Sequence, residues 1–388
     1  MGTRPLRVAV VGAGVGGLTA AIALQAKGFQ VQVYDQVREL SEIGAGVSLG
    51  GNGMRVLDAL GLGRATRSAS ANLQRITFHH WKSGDIAYEH PMGDWYDERF
   101  GGPFLGIHRA DFHQLLLDAY DGSPIWGRRC IGVAESPTGV ELSFADGSSA
   151  SADVVVGADG LRSVVRRHVT GSEDAVFSGM SCYRGLVPVE QVPGGSRFGL
   201  TFFLGPNRHL VAYPVRGGEL INFVAYVPDP SWSVESWSFT SSAAEAAAAF
   251  EGWTPTVTRM LSHAAEVGRW ALYDREPLRR WSTDRVTLLG DAAHPMLPHA
   301  GQGSNQALED AAALAFALSI RPPAEALQRY EQLRKARTRQ IQLGSRANAT
   351  CFQLPDGPAV DERNARLLSL PDMVGWIHSY DIYAELAP

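Results

Sequence analysis

Cysteine is scarce in this chain. Cys130, Cys182 and Cys351 are the three among 388 residues. They are too few and too scattered for a disulfide framework or a metal site, so a reducing, cytoplasmic setting is expected. No uncharged apolar stretch reaches the roughly 18 residues of a membrane span. Arg4 and Arg7, ahead of an apolar run, imitate a signal peptide, but that run reads better as a strand and turn of the fold. Basic blocks are missing too. The net charge is −5 with both signs spread along the chain, which argues against nucleic acid as a partner. There is no internal repeat and no low-complexity linker. The remainder, 45% hydrophobic and 19% charged, is globular in character. Its length suits two domains or one large composite.

The most informative stretch is the first glycine-rich turn. Arg7 to Val11 (RVAVV) is a short β-branched run. Gly12, Ala13, Gly14, Val15, Gly16 and Gly17 follow, then an Ala/Leu-rich helix ending at Gly28, then FQVQVYD closing on Asp35. This is strand, G-x-G-x-x-G, helix, strand, acid, the context in which the motif binds an adenine dinucleotide. Gly12 permits the tight turn, Gly14 lets backbone approach a pyrophosphate, and Gly17 lets helix and strand pack closely. The unpaired N–H groups at the helix start face the phosphate charge. Asp35 stands where a carboxylate can accept ribose hydroxyls. The motif does not distinguish FAD from NAD.

A second glycine-rich loop, Ile43 to Gly63, contains Ser48 and leads into a helix from about Asn52 to Leu60. Its interleaved glycines suggest backbone pressed against an extended ligand. Leu73 to His90 reads as a β-hairpin around Lys82-Ser83-Gly84. Ile107 to Tyr120 reads as a helix with Phe112, Leu115, Leu116 and Ala119 on one face. Arg109 at its start is either a solvated surface group or a ligand contact at a domain joint. Two strands fall within Cys130 to Ala145. Asp153 to Gly157 reads as a buried parallel strand, followed by the turn Ala158-Asp159-Gly160 and a helix bearing Arg162, Arg166 and Arg167. Glycines and an acid again stand at the carboxyl end of a strand, where open α/β sheets bind ligands.

From Met180 the pattern is β: CYRGLVPV, RFGLTFFL, RHLVAYPV and LINFVAYV. Alternation puts His209, Val211 and Tyr213 on one face, and Pro214 is expected to end the ladder or mark a bulge. Ser231 to Glu251 is polar and Trp-bearing, then helical. Arg285 to Leu289 reads as a strand ending at Gly290-Asp291. A Pro/Gly-rich crossing then runs to Gly303, where a helix begins that buries Ala307, Leu308, Ala311, Leu314, Ala315 and Leu318. A long charged helix covers about Pro323 to Arg346. The tail, with Trp376, Tyr380 and Tyr383, is aromatic enough to pack.

Three motifs stand in order: GAGVGG at Gly12, GADGLRS at Gly157, and GDAAHPMLPHAGQGSNQALEDA at Gly290. Together they resemble the FAD-dependent aromatic hydroxylases, single-component flavoprotein monooxygenases of the para-hydroxybenzoate hydroxylase type. The resemblance runs over nearly the whole chain. YRGLVP at Tyr183, RHLVAYPVRGGELINFVAYVP at Arg208 and the WIHSYDIY tail look most like the salicylate, 3-hydroxybenzoate and 6-hydroxynicotinate hydroxylases. It implies an α/β fold in which a Rossmann-type FAD-binding domain with a parallel sheet is interleaved with a smaller, mainly antiparallel β substrate domain, with C-terminal helices. The expected segments are 1–72, 101–178 and 270–345 for FAD, 73–100 and 179–269 for substrate, and 346–388 for the helical end. The dinucleotide is then FAD, with NADH or NADPH as a transient co-substrate that needs no second fingerprint.

The resemblance also assigns roles. Gly12, Gly14, Val15, Gly17 and Ser48 would lie along the cofactor. Asp35 would hold the adenosine ribose, although most relatives carry the longer Glu. Arg109 would contact the FAD chain, with the backbone near Cys130 close to the adenine. Asp159 is included with the cofactor loops, although a structural hydrogen bond suits its place in GADG better. Asp291 would bind ribityl or pyrophosphate oxygens. Gly301, Gly303, Ser304 and Asn305 would wrap the flavin, where helix dipole and free N–H groups favour negative charge.

The implied chemistry is hydroxylation of a small hydroxyaromatic, expected to be a carboxylate, through a flavin C4a-hydroperoxide formed from O2. A ring hydroxyl then needs a base or a hydrogen-bonded relay. His209 and Tyr213 are the candidates, although a His on a β-face is more often structural; about 13 Å of strand separates them, so each would meet a different end of the ligand. His299 is a rival base, and the Pro298 carbonyl would face the substrate. Arg184, Arg208 and Arg216 are candidate carboxylate partners. His294 invites a metal reading, but without neighbouring ligand spacing a packing role is the better one. A larger polycyclic substrate, as for a tailoring oxygenase, epoxidase or antibiotic-inactivating enzyme, is the alternative, with a non-catalytic flavin module or a plain NAD-dependent dehydrogenase behind it. The expected assembly is a monomer or homodimer.

Overall fold

A computed structural model describes residues 4–38, 46–171, 175–230 and 239–386. The start of the second glycine-rich loop, Ile43 to Ala45, and the Trp-bearing stretch 231–238 lie outside the described residues. The first sheet is parallel, in the order Val286–Leu288, Val154–Gly157, Arg7–Val11, Gln30–Tyr34. Val154, Val155 and Val156 are fully buried, as expected of a strand covered on both faces. The helices Val15–Gln25 and Gly303–Ile320 pack against one another beside this sheet. Both therefore begin at the carboxyl ends of parallel strands, which is the ligand-binding edge of such sheets.

The second large sheet has eight strands. Its centre is an antiparallel run of Val267–Asp274, Val176–Pro188, Leu220–Pro228, Arg208–Val215 and Leu200–Gly205. The hairpin of Arg75–His80 and Ile86–Pro91 extends it, with Arg75–His80 joining parallel to Leu200–Gly205. The fold is thus an α/β parallel-sheet unit interleaved with a mainly antiparallel β unit and closed by C-terminal helices. Val176–Pro188 begins before residue 179 and Val267–Asp274 runs past 269, so the second sheet extends a few residues beyond the expected segments.

Some local expectations need correction. Leu105–His108 is a strand, and the helix starts at Arg109. Pro214 does not end its strand. It pairs with Ile221 on one side, and the ladder with Leu200–Gly205 reaches only Ala212, so its missing N–H is asked for nothing. The Cys130–Ser136 and Gly139–Phe144 strands form a separate small sheet with Ser149–Ala152. The long helix continues to Phe352.

Helix Gly303–Ile320 is buried on nearly every face, and this includes Glu309 and Asp310. Arg334 and Arg337 of the next helix neutralise them: Arg334 bonds to Glu309 and, at 2.8 Å, to Asp310, and Arg337 reaches Glu309 at 2.8 and 3.0 Å. Burial alone would raise both carboxyl pKa values. Arg334 and Arg337, with Asn52, outweigh it at Glu309, and His294 with Arg334 outweighs it at Asp310, so both are held below the ordinary carboxylate range. The folded state therefore binds fewer protons than the unfolded chain. This stabilisation is complete above the ordinary carboxylate pKa and is lost as pH falls through the depressed folded-state values. Glu309→Ala leaves two guanidinium groups facing a buried vacancy. It is expected to lower the unfolding free energy by about 3–5 kcal/mol, read from urea denaturation of the purified protein.

Candidate active site

The two units enclose a cavity of about 670 Å³. Its floor comes from Gly14, Val15 and Gly16 of the first turn, Ser48 of the second glycine-rich segment, and the 290–304 crossing. Its far wall is the eight-stranded sheet, through Arg184, Val211, Tyr213, Val224, Tyr226 and Trp270. Three loops distant in sequence thus meet at one space.

The first turn is built as its glycines require. Gly12 has φ +109°, and a Cβ there would lie 2.3 Å from the Ala158 carbonyl oxygen. A Cβ on Gly17 would lie 1.9 Å from the Gly12 oxygen, whereas Gly14 has open space around it. Gly14 is therefore where a ligand can approach the backbone. No side chain caps either helix Val15–Gln25 or helix Gly303–Ile320, so the first N–H groups of both remain available for anionic groups. Gly301, in the left-handed region at φ +61°, turns the chain into the second of these helices.

Two charged groups face the same space. Arg109 is exposed on the cavity, with its pKa lowered by burial and by Arg184, while Asp291 opposes the shift. Asp291 is likewise open to the cavity, and its enclosure in protein raises its pKa against the pull of His294, Arg109 and Arg166. Asp35 lies outside the cavity, half-exposed at the end of its strand. Its carboxylate accepts the Ala13 N–H at 2.6 Å and the Val37 N–H at 2.8 Å, which ties the strand end to the turn. An open turn, two uncapped helix starts and a cation supply donors for a pyrophosphate, and an acid beside them supplies an acceptor for hydroxyl groups, as a dinucleotide would require.

Several expected residues stand elsewhere. Cys130 turns its side chain into the hydrophobic core, on a strand of the separate small sheet, so only its backbone is left for the adenine contact that was expected of it. Asp159 faces its own helix. It accepts Ser163 Oγ at 2.5 Å and the Val164 N–H at 2.7 Å, which makes it a helix-start group and not a cavity group. The Asn305 side chain is also withdrawn: its amide clamps Ser48, Gly50 and Gly301 together at 3.0–3.1 Å. Ser48, Gly303 and Ser304 do line the cavity.

On the substrate wall, Tyr213 and Pro298 line the space, but His209 does not. His209 is fully buried behind it, stacked on Tyr226 at 4.2 Å, with His299 between it and the cavity. Strand alternation gave His209 and Tyr213 a common face, but Tyr226 and the 298–300 turn cover the His209 end. Burial raises the pKa of Tyr213 and Tyr226, which keeps both phenols neutral. Burial lowers that of His299 to about 3.

The three candidate arginines now separate. Arg208 donates to the Ala249 carbonyl, and Arg216 pairs with Asp111 at 2.8 Å. Arg184 lines the cavity with its Nε buried and unpartnered, and no carboxylate lies within ion-pair distance of it among the described residues. His294 bonds to Asp310 at 2.6 Å, and no metal-binding cluster occurs among the described residues. Sequence reasoning missed Tyr226, Trp270 and His378 as wall residues. Tyr226 was within reach, since LINFVAYV alternates and its hairpin places Tyr226 opposite His209.

The comparisons agree with this architecture. Residues 5–344 match a family model described as an FAD binding domain. The 3-amino-4-hydroxybenzoate 2-monooxygenase PtmB3 of Streptomyces platensis is 40% identical, over 97% of this chain and 96% of that protein. The 6-hydroxynicotinate 3-monooxygenase of Bordetella bronchiseptica is 34% identical, over 98% and 96%. Among solved structures, Klebsiella pneumoniae HpxO complexed with FAD and uric acid superposes with a TM-score of 0.86 at 29% identity, covering 98% of this chain and 97% of that one. No helix among the described residues is long and apolar enough to cross a membrane.

Gly17→Ala drives a methyl group into the Gly12 carbonyl. Overpacking of this kind costs about 1–3 kcal/mol. FAD affinity is expected to fall roughly tenfold to a hundredfold, read by the recovery of flavin fluorescence on dilution.

Proposed function

The chain belongs to the FAD-binding-domain family of flavoprotein aromatic monooxygenases, and from that premise we propose that its substrate is a single aromatic ring bearing both a carboxylate and a hydroxyl group. The observation that carries this reading is Arg184, a cation on the cavity wall with a buried, unpartnered Nε and no carboxylate beside it among the described residues. A buried guanidinium without a counter-ion is costly, and a substrate carboxylate supplies the counter-ion with charge-assisted hydrogen bonds. The relatives named above act on 3-amino-4-hydroxybenzoate and 6-hydroxynicotinate, which share those two groups.

FAD, when bound, takes reducing equivalents from NAD(P)H and activates O2. The protein's part is positional and electrostatic. The starts of helices Val15–Gln25 and Gly303–Ile320 offer N–H groups to the pyrophosphate and to the flavin edge. Gly12 and Gly17 shape the turn, Gly14 and Val15 would hold the phosphates, and Asp35 would accept hydrogen bonds from the adenosine ribose hydroxyls. Arg109 and Asp291 would hold the chain between the two halves, and Ser48, Gly301, Gly303 and Ser304 would hold the ring system. Arg184 holds the substrate carboxylate, which turns the ring hydroxyl toward His299 and the Pro298 carbonyl. The neutral Tyr213 donates at the other end of the ring. The apolar wall of Val211, Val224 and Trp270 excludes water, which strengthens each of these contacts. The parallel-sheet unit and the eight-stranded unit serve as separate cofactor and substrate domains, with a monomer or homodimer as the assembly.

Arg184→Met keeps the length of the side chain and removes the charge. A hydrogen bond to a charged group contributes about 1.5–3 kcal/mol. KM for the best carboxylate in a panel of 3-amino-4-hydroxybenzoate, 6-hydroxynicotinate, salicylate and 3-hydroxybenzoate is therefore expected to rise about 10- to 100-fold. KM for the matching neutral phenol should move far less. The readout is substrate-stimulated NAD(P)H oxidation together with product mass. An equal change for acid and neutral analogue removes the assignment.

A further inference from the structure

The sheet wall of the cavity is wider than one aromatic ring. Arg184 stands on strand Val176–Pro188 and His90 on strand Ile86–Pro91, and both line the cavity. Five strand spacings separate those strands in the sheet order, which is about 24 Å. A ring held at Arg184 reaches across about two of them. The rest is a chamber with aromatic and aliphatic walls. Ile76 and Phe202 belong to the sheet, Trp95 and Phe100 to helix Gly93–Phe100, and Leu370 and Val374 to the C-terminal segment.

The last two walls are joined at their outer rim by a single ion pair. Arg99 donates to Asp372 at 2.7 Å, with the two side chains 43% and 80% exposed. Among the described residues this is the one polar bond from residues 368–374 to a part of the chain outside the C-terminal helices. None of these seven side chains is buried, whereas Leu367 before them and His378 after them are. The far end is well anchored. Arg337 donates to the Trp376 and Ile377 carbonyls, Arg55 donates to the His378 carbonyl at 2.9 Å, and the His378 ring bonds to Tyr96. So exposed an ion pair adds little stability. Residues 368–374 therefore form a flap with buried anchors at both ends and a weak latch between them, the kind of segment that opens without global unfolding. Pro371 lines the cavity and its neighbour Asp372 stands in water, so only the flap's own thickness divides chamber from solvent.

Arg99 is placed to meet an anion there. Its guanidinium lies over the rings of Trp95 and Phe100, at 5.4 and 5.7 Å. The chain as a whole carries a net charge of −5, so an approaching acid needs a local cation. A substrate carboxylate offers Arg99 the same charge-assisted bonds that Asp372 does, and the ring behind it meets Trp95.

We propose that aromatic acids reach the active site between helix Gly93–Phe100 and the 368–374 flap, through an access subsite in which Arg99 exchanges Asp372 for the incoming carboxylate and Trp95 receives the ring. Loss of Asp372 from Arg99 frees the flap. The ring then moves along the chamber to Arg184, and the Arg99–Asp372 pair re-forms behind it. No covalent bond changes. Arg99 holds the acid only on its way in or out, so it is a positioning residue that acts on the rates of binding and release and leaves the affinity of the seated substrate alone. The inference rests on the substrate's being an aromatic acid.

The test follows the flavin absorbance change on ligand binding by stopped flow, in FAD-loaded enzyme. The probes are the four acids of the panel above, with 2-aminophenol as the neutral control. Asp372→Ala removes the latch and keeps the cation. It should raise association and dissociation rates together by about threefold or more and leave Kd within about twofold of wild type. Arg99→Gln removes latch and cation. It should slow association of the acid by about threefold or more relative to 2-aminophenol and flatten its dependence on salt. Both positions are exposed, and retained flavin absorbance with an unchanged Tm reports folding. Rates that match wild type in both variants would overturn the portal alone. So would a change in Kd carried by dissociation only, which places Arg99 against the seated ligand. Failure of all four acids to bind wild type would remove the substrate reading and the portal together.

Discussion

Two carboxylates and two guanidinium groups are buried together between helices Gly303–Ile320 and Pro323–Phe352, and the loops of the active site hang from them. Placing four charges away from water is costly, by several kcal/mol per ion even after relaxation. The cluster persists because the charges cancel and each one is hydrogen-bonded repeatedly. Asp310 accepts the Gly290 N–H at 3.1 Å and His294 at 2.6 Å, which fixes the turn carrying Asp291. Glu309 accepts Asn52 at 2.6 Å, and Asn52 donates also to Gln302 on the cavity wall. Arg337 donates to the Trp376 and Ile377 carbonyls. One ionic cluster therefore sets the relative placement of the Asp291 turn, the start of the flavin-side helix and the C-terminal segment. An apolar core of the same volume could pack the helices, but it would offer no bonds to those loops.

Charge is distributed across the cavity in a corresponding way. Arg109, Asp291 and the two uncapped helix starts lie toward the cofactor-binding edge. The sheet wall presents one guanidinium, Arg184, beside the neutral phenols of Tyr213 and Tyr226, and the adjoining 298–300 turn adds the neutral imidazole of His299. In the proposed reading, a substrate that carries its own anion finds its counter-ion in Arg184.

Much of this was legible in the sequence, for reasons of local geometry. Gly12 and Gly17 stand where a Cβ would strike backbone, and the Val154–Val156 run is buried on both faces, so turn and strand are written in short-range chemistry. The unreadable parts depend on contacts distant in sequence. Nothing near Arg208 or Arg216 announces that Ala249 and Asp111 will occupy them, so their difference from Arg184 appears only in three dimensions. His209 shares a strand face with Tyr213, as alternation requires, yet its end of the strand is covered by Tyr226, His299 and Phe352, which come from three other segments. Cys130 follows a strand pattern that does not say which sheet it will join.

The C-terminal segment shows why such distant contacts matter to the site. Leu370, Pro371, Val374, Ile377 and His378 form part of the cavity wall, although they follow the matched family region. His378 accepts or donates at Tyr96 Oη, 2.7 Å away, and Tyr96 receives the Gly51 N–H at 3.1 Å. The same strand-to-helix segment, Ser48 to Gly51, is held from the other side by Asn305. A backbone stretch that borders the cofactor space is thus clamped between the flavin-side helix and the last helices of the chain. The ends of the sequence are coupled through it: the glycine turn opens the site near residue 14, and the wall that closes it is supplied more than three hundred residues later.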